Sequence, residues 1–196
     1  MAAVVPEPLR QATAPAAVSP SRFRALMASF PAGVTVVTTA GADGRPHGMT
    51  CTAVSSVSDE PATLLVCLKQ GSGTLASLCE AARFAVNLLG SDARPVAELF
   101  AARGTDRFAR VPWTFEPGFG GPHLTRHAHT VADCRVTRTV DVGEHAVVFG
   151  EVFAVTARAG TAPDPLLYGL RGYWALGRPG GDPGAAGTTN QQRARS

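Results

Sequence analysis

Between Val34 and Trp174 the chain is a succession of short β-branched and apolar runs separated by turn residues, and this punctuation restricts what it can fold into. Val34–Thr39 reads VTVVTT, Thr63–Lys69 reads TLLVCLK and Phe84–Leu89 reads FAVNLL, each of strand length. Two longer runs follow, about His129–Val140 and Ala146–Thr156, joined by a turn around Gly143, and Leu166–Trp174 closes the series. An Asp-Gly pair within Ala40–Pro46 predicts a hairpin from the first run to a strand starting near His47. Helical signals are few. Phe23, Leu26, Met27 and Phe30 recur at helical spacing over Ser21–Ser29, and Pro31 with Gly33 ends that helix. Ser72 suits the N-cap of a helix over Thr74–Ala82, and Ser91 that of a helix to about Ala102 with Val96, Leu99 and Phe100 as its apolar stripe. A mainly β chain with short helices, at this length, predicts a closed or nearly closed antiparallel barrel rather than a parallel doubly wound sheet.

The 196 residues, 45% of them apolar, fit one domain over 21–177 with flexible tails at 1–20 and 178–196, where Ala, Pro, Gly and polar residues dominate. A net charge of +3 without a dense Lys/Arg cluster argues against nucleic acid as a partner. Cys51, Cys67, Cys79 and Cys134 lie far apart with no C-x-x-C pair, which predicts neither a zinc site nor a disulfide framework and fits a reducing cytosol. The N-terminal stretch is broken by prolines and carries Glu7 and Arg10, unlike a signal peptide, and no apolar run is long enough to cross a bilayer. The expectation is a soluble cytoplasmic protein without membrane contact.

No G-x-G-x-x-G, G-x-x-x-x-G-K-[ST] or G-x-S-x-G pattern is present, so a Rossmann domain, a P-loop and a hydrolase elbow find no support. Gly48–Thr74 stands apart. Thr50, Thr52, Ser55, Ser56 and Ser58 crowd hydroxyls onto one extended segment, and Thr50 and Thr52 would share a face of a strand. Lys69, the only lysine in the chain, then joins Ser72 and Thr74 at a strand-to-helix junction, where backbone N–H groups can hold a phosphate. The same residues equally suit a Thr-rich edge strand followed by a capped helix. His123, His127 and His129 fall within seven residues, but no carboxylate or cysteine in that loop completes a metal set, and the expectation is a solvated loop entering a strand, with no metal. His145, at a hairpin turn, reads by position alone as exposed. Trp113 and Phe115 either shield a ring or pin their Gly/Pro-rich loop.

GMTCTAVSSVSDEP (Gly48–Pro61), Leu64–Leu68, FAVNLL, ELFA (Glu98–Ala101) and GEHAVVFGEV (Gly143–Val152), in this order, resemble the short-chain flavin reductases, the reductase components of two-component flavin monooxygenases, 4-hydroxyphenylacetate 3-monooxygenase reductase-like proteins above all. The similarity runs from about Phe23 to Trp174. It implies an FMN-binding split β-barrel, antiparallel and Greek-key-like, acting as a homodimer. It also implies hydride transfer from NADH or NADPH to FMN or FAD, with reduced flavin diffusing to a partner monooxygenase. Carried over, Thr50, Thr52, Ala53, Ser55 and Ser56 would line the flavin ring and ribityl chain, Ser72 and Thr74 the phosphate, and Asn87 would match the family's strand asparagine. His145 would lie near the nicotinamide, and Leu166–Tyr173 resembles a segment covering the flavin, which makes Tyr168 and Arg171 candidates. Arg171 would join His145 in seating the pyridine nucleotide. Where relatives often carry Asn-Arg before the loop serine, this chain has Lys69-Gln70-Gly71, a point charge in place of a fork, which leaves FMN and FAD both open. A barrel that retains its flavin and acts on an organic substrate, or a non-catalytic flavin binder, would share most of these residues.

Overall fold

The computed structural model describes residues 17–104, 106–160 and 162–176, so the expected C-terminal tail and all but residues 17–20 of the N-terminal one lie outside the described residues. In chain order the helices are α1 (Pro20–Ala28), α2 (Gly73–Ala81) and α3 (Arg94–Ala101). The strands are β1 (Ala32–Gly33), β2 (Thr35–Ala40), β3 (Pro46–Cys51), β4 (Val54–Asp59), β5 (Ala62–Lys69), β6 (Arg83–Leu89), β7 (Ala128–Val142), β8 (His145–Ala157), β9 (Leu166–Gly169) and β10 (Gly172–Ala175). No helix among them is long and apolar enough to cross a membrane.

Seven strands form one antiparallel sheet in the order β3-β2-β6-β7-β8-β5-β4, and β1, β9 and β10 form a second, smaller one. The β-branched run of β2 is buried on both faces, because Val37 belongs to the core inside the curled sheet and Val36 to a second core outside it. The inner core gathers Val66, Leu68, Leu78, Phe84, Val86 and Val148. The outer one packs α3 through Val96, Ala97 and Phe100 against Val34, Leu89 and Leu166.

The barrel is not closed. Its edge strands, β3 and β4, are consecutive in sequence, and the curl brings them together only at their Thr52–Ala53 link. There Cys67 N–H donates to Ala53 O at 3.0 Å, and the Cys51 thiol to Cys67 O at 3.5 Å. Elsewhere the edges stay apart, so the segment expected to run extended through Ser58 is two strands on opposite sides of a split. Thr50 and Thr52 therefore do not share a strand face.

Two further details differ from expectation. Ser91 does not cap α3: its hydroxyl donates to Asp164 at 2.5 Å from within a short 3-10 turn, and α3 begins after Ala93 without a side-chain cap. The closing run Leu166–Trp174 is a hairpin whose two-residue turn, Leu170–Arg171, adopts positive φ of 50° and 61°.

Candidate functional site

A cleft of about 800 Å³ opens beside the free edge of β3. Its walls are β3 from Pro46 to Thr50, the β5–α2 connection from Lys69 to Thr74, and the end of α3 with the loop after it, reaching Phe108.

The first wall is a sheet edge. β3 pairs with β2 on one side only, and in an antiparallel pair alternate residues turn both N–H and C=O toward the partner or both away. The Gly48 carbonyl points away from β2, since it accepts from Arg107 Nη1 at 2.6 Å. Pro46 and Thr50 share that phase. Pro46 has no N–H to leave unpaired, a usual place for proline on an edge strand, whereas Gly48 and Thr50 turn their N–H groups into the cleft. Gly48 must lack a side chain, because a Cβ there would stand 3.0 Å from Phe100 and 3.1 Å from Phe108. These two rings, edge to face at 5.1 Å, form the floor. The Thr50 hydroxyl donates to Ala97 O at 2.6 Å and fastens the strand to α3.

The second wall is a helix start. Gly71, at φ +71°, turns the chain, and the Ser72 hydroxyl accepts from Leu75 N–H at 3.2 Å while its carbonyl takes Ala76 N–H. The Gly73 and Thr74 N–H groups are left for a ligand, at the positive end of a helix whose first turn carries no acid. Lys69 is exposed beside them, and His47 lines the same corner, its Nδ1 3.7 Å from where a Gly73 Cβ would stand.

The third wall adds Arg103 and Arg107, against a single acid, Asp106. Arg107 is held by the carbonyls of Gly48 and Ala102, and its Nε is buried with no hydrogen-bond partner among the described residues. Three cations to one carboxylate, an open row of N–H donors and a helix N-terminus fit a planar polar group carrying phosphate.

Of the residues expected to bind cofactor, Thr50, Lys69, Ser72 and Thr74 line this cleft together. Thr52 and Ala53 are exposed in the link that follows, and Ser55 and Ser56 are exposed on β4, along the opposite edge of the split. His145 is not among the residues lining the cleft; it lies directly across from Lys69 in the β5–β8 register, so the two side chains share a sheet face. Asn87 cannot serve a ligand. It is fully buried, its amide nitrogen donates to Val36 O, Thr38 Oγ1 and Pro122 O, and its oxygen accepts from Leu124 N–H. It pins the 120–124 loop to the sheet. Tyr168 and Arg171 lie in the β9–β10 hairpin, outside the cleft walls, where Tyr168 packs on Tyr173 at 5.1 Å.

The histidine run is no solvated loop at its start. His123 is 2% exposed, its Nε2 meets Asp133 at 2.9 and 3.1 Å, and Phe119 stacks on its ring at 3.8 Å. His127 and His129 are half-buried, and desolvation lowers the pKa of each. Among the described residues no group of three His, Cys, Asp or Glu is placed to hold a metal. Trp113 pins its loop, stacking edge-on against Phe108 and donating to Phe108 O at 3.2 Å. Burial pushes the thiols of Cys51 and Cys134 up to about 11 and about 12, which makes both inert at neutral pH. Sequence reasoning missed His47, Arg103 and Arg107. The available signal was two arginines flanking Gly104 in a loop straight after a helix.

Residues 27–177 match the family model described as flavin reductase like domain. The chain belongs to the flavin reductase family. It is 44% identical over 156 residues to a flavin reductase (NADPH) of Lentzea aerocolonigenes, covering 80% of this chain and 89% of that one. It is 42% identical over 172 residues to a flavin reductase (NADH) of Kitasatospora aureofaciens, covering 86% and 88%. Its fold matches the styrene monooxygenase flavin reductase of Pseudomonas putida S12 with a TM-score of 0.73 at 31% identity, over 81% of this chain and 99% of that one.

Proposed function

We propose that this flavin reductase binds FMN or FAD in the split, reduces it with NADH or NADPH, and releases it to a partner monooxygenase in the cytoplasm. The observation that carries the reading is the meeting, in one cleft, of the open N–H edge of β3 with the Lys69/α2 phosphate corner. The bound cofactors supply the hydride chemistry, nicotinamide to flavin. The chain's own part is to seat and polarise. Gly48 and Thr50 N–H groups would donate to the flavin ring and stabilise the negative charge that accumulates there on reduction. Thr52 and Ala53 in the link, and Ser55 and Ser56 on the opposite edge of the split, would meet the flavin beyond Thr50. Gly73 and Thr74 N–H groups with Lys69 would hold phosphate, and His145, across from Lys69, would guide the nicotinamide side. An open cleft with an exposed lysine suits a flavin that leaves as product.

The assembly is a homodimer. Past Glu151, β8 pairs with β7 alone, and its free edge presents Val155 at 65% exposure with Phe153 beside it. None of the residues of α1 is buried, although Phe23, Leu26 and Met27 are apolar. An unprotected apolar strand edge is a pairing surface, and a second copy covers it.

The test is oxidation of NADH and NADPH by the purified chain with FMN, FAD or riboflavin. Turnover of free flavin supports the reading; a non-exchanging flavin, or binding without oxidation, refutes it. Lys69→Ala should weaken FMN binding about two- to fivefold, the worth of one exposed charge contact, and leave riboflavin unchanged. His145→Ala should raise KM for NAD(P)H with the flavin Kd unaltered, and an unchanged steady-state profile removes it from the site.

A further inference from the structure

The cleft carries positive charge on two walls built by different elements. Lys69 and the Gly73 and Thr74 N–H groups occupy one, Arg103 and Arg107 the other. A flavin mononucleotide carries one phosphate group, and the first wall alone offers that group its contacts. The second wall is then unexplained. Neither arginine is in an ion pair with a carboxylate among the described residues, and Asp106 turns one carboxylate oxygen to Ala109 N–H. Arg107 is fixed by two backbone carbonyls, so its charge is oriented but not neutralised. Arg103, exposed on the same loop, makes no side-chain hydrogen bond or ion pair among the described residues, which leaves its guanidinium fork facing the cleft. At about 800 Å³ the cleft also lies in the upper half of the usual range for small-molecule sites, about 300 to 1,000 Å³.

We propose that the cleft is built for a flavin dinucleotide, with Arg103 as the residue that selects FAD over FMN. The inference rests on the flavin reductase reading above. The flavin-side phosphate sits at the α2 N-terminus and Lys69. The adenosine-side phosphate reaches the opposite wall, where the Arg103 fork takes two of its oxygens and Arg107 supplies fixed positive potential. The Lys69-Gln70-Gly71 sequence fits this division, because a point charge suffices on the first wall when the fork is on the second.

The experiment is fluorescence titration of the full chain and its Arg103→Ala and Arg103→Lys variants with riboflavin, FMN and FAD, together with steady-state KM for NADH using FMN as acceptor. The wild type should bind FAD about tenfold more tightly than FMN. Arg103→Ala should lose about tenfold for FAD, the worth of one charge-assisted contact, and less than threefold for FMN. Arg103→Lys should fall between, since it keeps the charge without the fork. Because Arg103 is exposed, the variants should melt with the wild type, and a thermal scan checks this. Equal losses for FMN and FAD, or none, overturn the proposal. So does a raised KM for NADH with flavin affinities unchanged, which assigns the second wall to the diphosphate of the nicotinamide nucleotide. If none of riboflavin, FMN and FAD binds the wild type, the flavin reading falls and the proposal with it, whereas FMN turnover without FAD preference removes the proposal alone.

Discussion

Gly48→Ala is the smallest change that tests how the cleft floor is held. The added methyl would stand 3.0 and 3.2 Å from two carbons of Phe100 and 3.1 Å from Phe108. Carbon pairs prefer about 3.5 to 4.0 Å, so both rings must retreat by roughly half an ångström. They have little room to do so, being 1% and 7% exposed, with Phe100 braced by the α3 core and Phe108 by Trp113. The alternative is for β3 to move outward, which loosens the 2.6 Å bond from Arg107 to the Gly48 carbonyl. Overpacking of this kind costs about 1–3 kcal/mol, and for a domain of this size each kcal/mol lowers Tm by about 2–4 °C. We expect a fall of about 2–12 °C by circular dichroism, with weaker flavin binding in the folded protein. A second substitution separates crowding from other causes. Phe108→Leu removes ring atoms facing the methyl, so the double variant should be less destabilised than the sum of the singles by about 0.5 kcal/mol or more. A Gly48→Ala protein that melts within about 1 °C of wild type, or strictly additive singles, refutes the reasoning.

Asp133→Ala leaves the Gly120 N–H and the buried His123 Nε2 without their acceptor, and should cost about 3–5 kcal/mol by denaturant unfolding. Asp133→Asn keeps an oxygen for Gly120 and offers His123 an N–H once the ring changes tautomer, so it should lose about 1 kcal/mol; equal losses in the two variants contradict the hydrogen-bond account. Val155→Asp, on the free edge of β8, should convert a dimer to a monomer in sedimentation velocity at micromolar concentration. A wild type that sediments as a monomer at that concentration removes the homodimer.

The strands were legible because their side chains carry the signal. VTVVTT is buried on both faces as β2, TLLVCLK and FAVNLL are β5 and β6, and the Asp-Gly pair makes the β2–β3 hairpin. Ser72 caps α2 as expected, because capping is decided within three residues. What stayed hidden is what distance decides. Nothing in Thr52–Ala53 marks a strand break, since neither is Gly or Pro; the break exists because the two edges must diverge there. Asn87 lies amid apolar strand neighbours, and only the fold brings the Pro122 carbonyl and Leu124 N–H to it. His123 and Asp133 are ten residues apart and look solvent-facing in sequence, yet each supplies the partner that lets the other be buried. Arg107 reaches back 59 residues to a glycine carbonyl, and no local pattern announces such a bond.

The split itself follows from the same accounting of backbone groups. Had β3 and β4 paired along their length, the barrel would be closed and every edge group spent, as a seven-stranded sheet free of edges prefers. The Gly48 and Thr50 N–H groups would then face a neighbouring strand and could not meet a ligand. An open edge is a liability in water, and this one is managed locally. Pro46 offers no donor, Arg107 covers the Gly48 carbonyl, and the floor beneath is sealed by Phe100 and Phe108. What remains uncovered is a pair of N–H donors on a rigid strand, in one cleft with a helix start and a lysine. A flavin bound there completes the edge that the fold leaves open, so ligand binding should protect the Gly48 and Thr50 amides from hydrogen exchange more than those of Met49 or Cys51, which already pair with β2. Equal protection across the strand would place the ligand elsewhere.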